Sequence, residues 1–173
     1  SIARALTPET ALDLVEESGL QGRGGAYFPV HLKWGSARDS ALMNGVPFLV
    51  VNAEEGEPGV FKDRALMEND PHRLLEGIAI AAHVIGATQV YCFINGQAHL
   101  SADRMLKAIN EAVGSGLIGP STGVTIEIRR GAGGYVCGEE TVILESIEGK
   151  RAVPRLRPPF PTESGLWHHP TVI

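Results

Sequence analysis

Cysteine is scarce in this sequence: two residues, Cys92 and Cys137, in a chain of 173. They make neither a disulfide framework nor a metal-ligand spacing, and point to a reducing compartment. Positive charge is also lacking. The net charge of -5 leaves no electrostatic footprint for nucleic acid or an anionic membrane. No apolar run is long enough to cross a bilayer, and the first residues lack the three-part pattern of a signal peptide. The six histidines fall into no ligand spacing of the H-E-x-x-H kind, so no metal site is expected. No Ser-His-Asp arrangement can be named, and Cys137 reads as a small packing residue rather than a nucleophile.

Glycine is what the chain has in excess. It holds 21 among 173 residues, against a usual share of about 7%. Such an excess suits loops in which backbone must approach something closely. Thr7 and Pro8 suit the N-cap and first position of a helix running to Ser18. The glycine-rich stretch "GLQGRGGAYFPVHLKWG" reads as a loop. Beyond it strand and helix alternate. "PFLVVN", "QVYCFI" and "VTIEIRR" read as strands, the third nearer an edge because it alternates. Helices are expected from Asp70–Pro71 to Ile85 with Gly86 closing, over 101–113, and in "GEETVILESIEG". The tail "KRAVPRLRPPFPTESGLWHHP", residues 150–170, holds too many prolines for regular structure and is expected to wrap a surface. Alternation of this kind means βαβ units and a parallel sheet, with ligands bound beyond the carboxyl ends of the strands.

That rule collects "NAEEGEPG", "NGQ" and "GAGGYVCGEE" on one rim, and with them Asn52, Glu54, Glu55, Glu57, Glu139 and Glu140. Carboxylates so gathered could hold a hard divalent cation, as in a phosphohydrolase, or accept hydrogen bonds from a donor-rich ligand such as a flavin or a ribose. Solvated acids doing nothing would not need the glycine and proline that scaffold both acidic groups. Across from them, Gly22, Gly24 and Gly25 offer backbone N–H groups while Arg23 and Lys33 add charge, a combination suited to phosphate. It is not a P-loop, and its glycines follow a helix rather than a strand.

"GRGGAYFPVHLKW", "NAEEGEPGVFKDR", "GAGGYVCGEET" and "EGKRAVPRLRPPFP…SGLW", in that order, resemble the NADH- and FMN-binding subunit of respiratory complex I. The module of NAD-linked hydrogenases and formate dehydrogenases is similar. The resemblance implies a Rossmann-like, three-layer α/β domain with a mainly parallel sheet and glycine-rich FMN/NADH-binding loops. It implies that Gly22, Arg23, Gly24, Lys33, Asn52, Glu54, Glu55, Tyr135, Gly138 and Glu139 meet FMN. Phe28, Glu57, Glu140, Arg157 and Phe160 would meet NADH. Hydride transfer would be carried by the cofactors, with no catalytic side chain. Such subunits continue into a ubiquitin-like domain and an iron–sulfur domain. Two cysteines cannot hold such a cluster in the usual four-thiolate way, so it would lie in a further segment or in iron–sulfur partner subunits. The expected setting is the cytoplasmic or matrix side, with membrane association only through partners.

The chain departs from the family pattern mainly on the NADH side. Tyr27 stands where glycine is usual, Ser36 where an aromatic adenine wall is expected, and Arg157 where lysine is common. Glu54 replaces an aspartate. FMN binding is therefore a safer expectation than NADH oxidation; the reading remains the flavin domain of an NADH dehydrogenase-type subunit, with a hydrogenase or formate dehydrogenase diaphorase module as the alternative and a flavin or nucleotide scaffold with a degraded NADH site as a third.

Overall fold

The computed structural model describes residues 5–173 of the chain. Its centre is one all-parallel sheet of β1 (Phe48–Ala53), β2 (Gln89–Ile94), β3 (Thr125–Arg130) and β4 (Thr171–Val172), ordered β3-β2-β1-β4. The helices are α1 (Pro8–Glu17), α2 (Val30–Asn44), α3 (Lys62–Asn69), α4 (Pro71–Ile85), α5 (His99–Gly114) and α6 (Glu140–Ile147).

Strand alternation sets the layers. Leu49, Ala53, Val90, Cys92 and Ile94 point to one face, where α3, α4 and α5 supply Met67, Leu75, Ile78, Ala82, Met105 and Ile109. Burial there pushes the Cys92 thiol up to about 12, so it stays protonated and inert. Val50, Tyr91 and Phe93 point the other way, onto Ile143, Leu144 and Ile147 of α6 and onto Leu166. Each fully buried aliphatic side chain contributes about 1.5–3 kcal/mol. The two crossovers leading from β1 to β2 to β3 move in one direction over one face. The return to β4 reverses direction, and a right-handed connection can do so only by changing faces, which is where α6 lies. The order of strands therefore reverses between β1 and β4, the place at which open α/β sheets bind ligands, beyond the carboxyl ends of the strands.

The predicted caps are present: the Thr7 side chain accepts from the Thr10 N–H, Asp70 caps α4, and Gly86 closes it in the left-handed region. β3 lies at an edge of the sheet, as its alternation suggests. Three elements were not expected. α2 begins inside the segment read as loop, α3 follows the acidic loop directly, and just beyond the proline-rich tail the chain enters the sheet as β4, with Phe48 and Leu49 paired to Thr171 and Val172.

Candidate functional site

The register aligns Ala53, Ile94 and Arg130 at the ends of β1, β2 and β3. The loops that leave them therefore start side by side, and glycine lets them touch. Gly56 packs on the Gly134 carbonyl, and a Cβ on Gly138 would stand 3.0 Å from the Glu54 carbonyl oxygen. A Cβ on Gly96 would overlap the Gly131 carbonyl oxygen outright. Asn52, at the end of β1, stitches the same loops: its Nδ2 donates to the Gly138 carbonyl at 2.9 Å and its Oδ1 accepts from the Glu54 N–H at 3.3 Å.

The acidic residues then divide by use. Glu54 turns inward and is buried, its Oε1 accepting from Asn95 Nδ2 at 2.9 Å while Oε2 has no partner. Burial raises its pKa, and the bond from Asn95 offsets only part of that. Glu55 accepts from the backbone N–H groups of Asp63 and Arg64 at 2.9 and 3.2 Å. It caps α3 from outside the helix, so its carboxylate faces α3. Glu57 is exposed.

Glu139 caps α6: its Oε2 accepts from the N–H groups of Thr141 and Val142 at 2.9 and 3.0 Å. Its other oxygen lies 3.4 Å from Arg157. Glu140 is held from both sides, by Arg157 at 2.6 Å and by Lys33 at 3.4 Å, and Lys33 Nζ also donates to the Ile173 carbonyl at 3.0 Å. Lys33 sits on the first turn of α2, Glu140 on the first turn of α6, and Ile173 follows β4. This cluster therefore lies at the carboxyl end of β4, beside the point where the strand order reverses.

The glycine loop stands beside it as a small closed turn. Gly22 N–H donates to the Phe28 carbonyl and Val30 N–H to the Leu20 carbonyl, which leaves Arg23 to Tyr27 as an exposed tip. α2 starts immediately behind, adding the partial positive charge of its N-terminus to Arg23 and Lys33. Tyr27 has φ +52°, the left-handed conformation that disfavours a side chain and that the usual glycine would adopt freely. Tyr27→Gly is expected to leave the chain as stable or more stable, by up to about 1 kcal/mol in urea denaturation.

Phe28, Phe160 and Tyr135 are about half or more exposed, at 49%, 53% and 71%. Ser36 donates to Thr162 at 3.0 Å, so the position of the expected aromatic wall ties α2 to the tail instead. Two surface depressions, of about 570 and 270 Å³, lie elsewhere, on α5 and between α4 and β3. Among the described residues no group of three His, Cys, Asp or Glu is placed to hold a metal ion, and no helix is long and apolar enough to cross a membrane.

Sequence reasoning missed Asn95, Gly131 and Arg155. Asn95 and Gly131 lie in loops it had placed on the rim, but nothing local marks them as partners of Glu54. Arg155 lies in the tail, and its partners on α6 are set only by the way the tail folds back.

The molecule is a three-layer α/β domain with cations facing carboxylates where the strand order of its sheet reverses, the place at which such sheets bind ligands. The family model described as the Nuo51 FMN-binding domain matches residues 15–172, and the chain belongs to that family. An NADH-quinone oxidoreductase subunit of Rhizobium meliloti (strain 1021) is 51% identical, over 96% of this chain and 40% of its own length. The NADP-reducing hydrogenase subunit HndC of Solidesulfovibrio fructosivorans is 43% identical, over 97% of this chain and 35% of its own. A crystal structure of NAD+-reducing [NiFe]-hydrogenase in the H2-reduced state superposes with a TM-score of 0.88 at 41% identity, over 95% of this chain and 28% of that one. The chain thus spans 35–40% of the length of these curated relatives.

Proposed function

We propose that this chain is the FMN- and NADH-binding domain of an NADH dehydrogenase-type flavoprotein. The observation that carries the reading is the charged cluster in which Lys33, Arg157, Glu139 and Glu140 meet beside the point where the strand order reverses, next to the glycine loop. The residues fit the cofactor chemically. The exposed tip held by the Gly22–Phe28 bond, with the backbone N–H of Gly24 and the charges of Arg23 and Lys33, suits a phosphate. Asn52, Gly138 and Glu139 present polar groups to ribityl and ring atoms, and Tyr135 stands exposed beside them. Glu54 and Glu55 support that platform from behind, by tying its loops and by capping α3. Phe28 and Phe160 offer faces to an adenine, while Glu57, Glu140 and Arg157 offer acceptors and a donor to the nicotinamide half.

When bound, FMN supplies the redox chemistry, accepting hydride from NADH and releasing electrons singly. The protein's part is to hold two rings in contact and keep their polar edges paired. The two cysteines, both buried, cannot ligate an iron–sulfur cluster, so the electrons pass to clusters held outside these residues, in a further segment or in partner subunits of a complex I-like assembly. Membrane association, where it occurs, runs through those partners. Likeness to a NAD+-reducing hydrogenase supports a second reading, the diaphorase module of such an enzyme. Hydrogen-dependent NAD+ reduction by the native assembly would select it.

The test is a visible absorption spectrum of the purified chain supplied with FMN, followed by anaerobic NADH. A yellow protein that bleaches is expected. Yellow without bleaching overturns the NADH half of the proposal, and a protein that stays colourless overturns the whole. Magnesium-dependent phosphatase activity in a colourless protein would instead mark a phosphohydrolase.

A further inference from the structure

The unpartnered oxygen of Glu54 is the one polar side-chain atom at the rim that the proposed chemistry leaves unexplained. Glu54 is 93% buried (7% exposed), and its Oε2 has no hydrogen-bond partner. A charged carboxylate in that position would be half solvated by a single amide and otherwise bare. Such a group costs several kcal/mol unless it is neutralised.

Its neighbours show what it joins. Oε1 is held by Asn95, from the loop after β2. Oε2 lies against Gly131 after β3, where a Cβ would overlap it. The Glu54 carbonyl lies against Gly138, and the Glu54 N–H is held by Asn52. One side chain and its own peptide thus touch all three loops.

The charged and titratable groups on the surrounding elements are engaged elsewhere. Arg130, at the end of β3, donates to the Asn95 and Gly96 carbonyls and approaches His99 of α5. Glu55 caps α3, Glu139 caps α6, and Cys137 is buried beneath Gly134. None supplies a charge to balance an ionised Glu54.

We propose that the protonated form of Glu54 fastens the three rim loops into one FMN platform, and that its ionisation loosens that platform. Glu54 is on this view a positioning residue. It rests in part on the FMN reading, but its first test does not. A neutral acid at Oε2 removes the charge that nothing balances, and its Oε1 still accepts from Asn95. Burial raises the pKa, so the native state binds more protons than the unfolded chain between the two ionisation constants. This group's stabilisation is then present at low pH and falls as pH rises through that window.

Glu54→Gln imitates the neutral form at every pH. Relative to wild type, its melting temperature is expected to rise as pH increases from the ordinary carboxylate range through the raised constant of Glu54, by roughly 3–5 °C for each tenfold separation of the native and unfolded constants. A difference that does not change with pH overturns the proposal. Carboxyl carbon NMR of the wild-type chain is a second measurement that needs no variant to fold. One glutamate should titrate above the exposed ones, and its signal should vanish in Glu54→Gln. Titration of Glu54 with or below the others overturns the proposal. FMN affinity of wild type should then fall across the same pH interval while that of Glu54→Gln stays level. If neither protein takes up FMN at any pH while the first two results hold, the FMN reading fails and the loop-fastening role stands.

Discussion

Arg155→Ala is expected to lower the stability of the chain by about 3–5 kcal/mol, the usual cost of stranding buried partners of an ion pair, as read by urea denaturation. Arg155 makes three different side-chain contacts: Nε with Glu145 at 2.5 Å, Nη2 with Glu148 at 2.8 Å and Nη1 with the Gly165 carbonyl at 2.8 Å. Its own N–H donates to Thr141 Oγ1 at 2.9 Å. Glu148 is only 3% exposed at its side chain. Burial alone would push its pKa up, but hydrogen bonds from Lys150, Arg155 and the Trp167 N–H outweigh that and hold it at about 2. A carboxylate depressed in this way stabilises the fold above its unfolded pKa, and that stabilisation, about 3 kcal/mol, is lost as pH falls from about 4.5 towards 2. The variant should therefore also show a shallower loss of stability in acid. Arg155→Lys should recover only part, because an ammonium cannot span two carboxylates and a carbonyl with the planar fork of a guanidinium. Equal stability of wild type and Arg155→Ala between pH 5 and 7 would show that the tail is not anchored here. Two residues further on, Arg157 reaches Glu139 and Glu140, so loss of the anchor should also free that contact and weaken the charged cluster.

What could be read from the sequence follows from how local each signal is. β1, β2, β3 and α5 announce themselves by period, and α4 by its caps as well; each is found where it was expected, α5 beginning two residues earlier, at His99. α2 gave no such signal. Leu42 and Met43 are both 87% exposed, and Ala37 is its single buried residue, so it carries no apolar stripe to find. α3 is capped by Glu55, eight residues before Asp63, a distance at which no N-cap pattern is visible. β4 is two residues long and exists because the tail returns to β1. The site shows the same division. That Asn52, Glu54, Glu55, Glu57, Glu139 and Glu140 lie on loops leaving one end of the sheet followed from parallel topology, whereas Arg157 was named only through the family resemblance. The division of labour among the acids did not, because it depends on contacts between loops. Glu54 against Asn95, Glu55 against α3, and Glu140 between Lys33 and Arg157 are long-range pairings that no single segment encodes.

Gly96→Ala tests whether those loops act as one body. The new methyl group would collide with the Gly131 carbonyl oxygen, which is backbone and has no rotamer with which to retreat. The loops after β2 and β3 would have to part, at a cost of about 1–3 kcal/mol. Parting them strains the Arg130 contact to the Gly96 carbonyl, 2.7 Å, and moves Asn95 away from Glu54. Gly77→Ala is the matched control: it lies within α4 with nothing in reach of its Cβ, and should gain about 0.5–1 kcal/mol from better helix propensity. FMN affinity, followed by quenching of flavin fluorescence, should fall about tenfold or more in Gly96→Ala, equivalent to about 1.4 kcal/mol or more of binding energy. Gly77→Ala should bind as wild type does. Destabilisation without loss of FMN affinity would mean that the loop after β2 stands apart from the cofactor platform. The contact between β1 and the loop after β3, through Asn52 and Gly138, would then hold the platform without it.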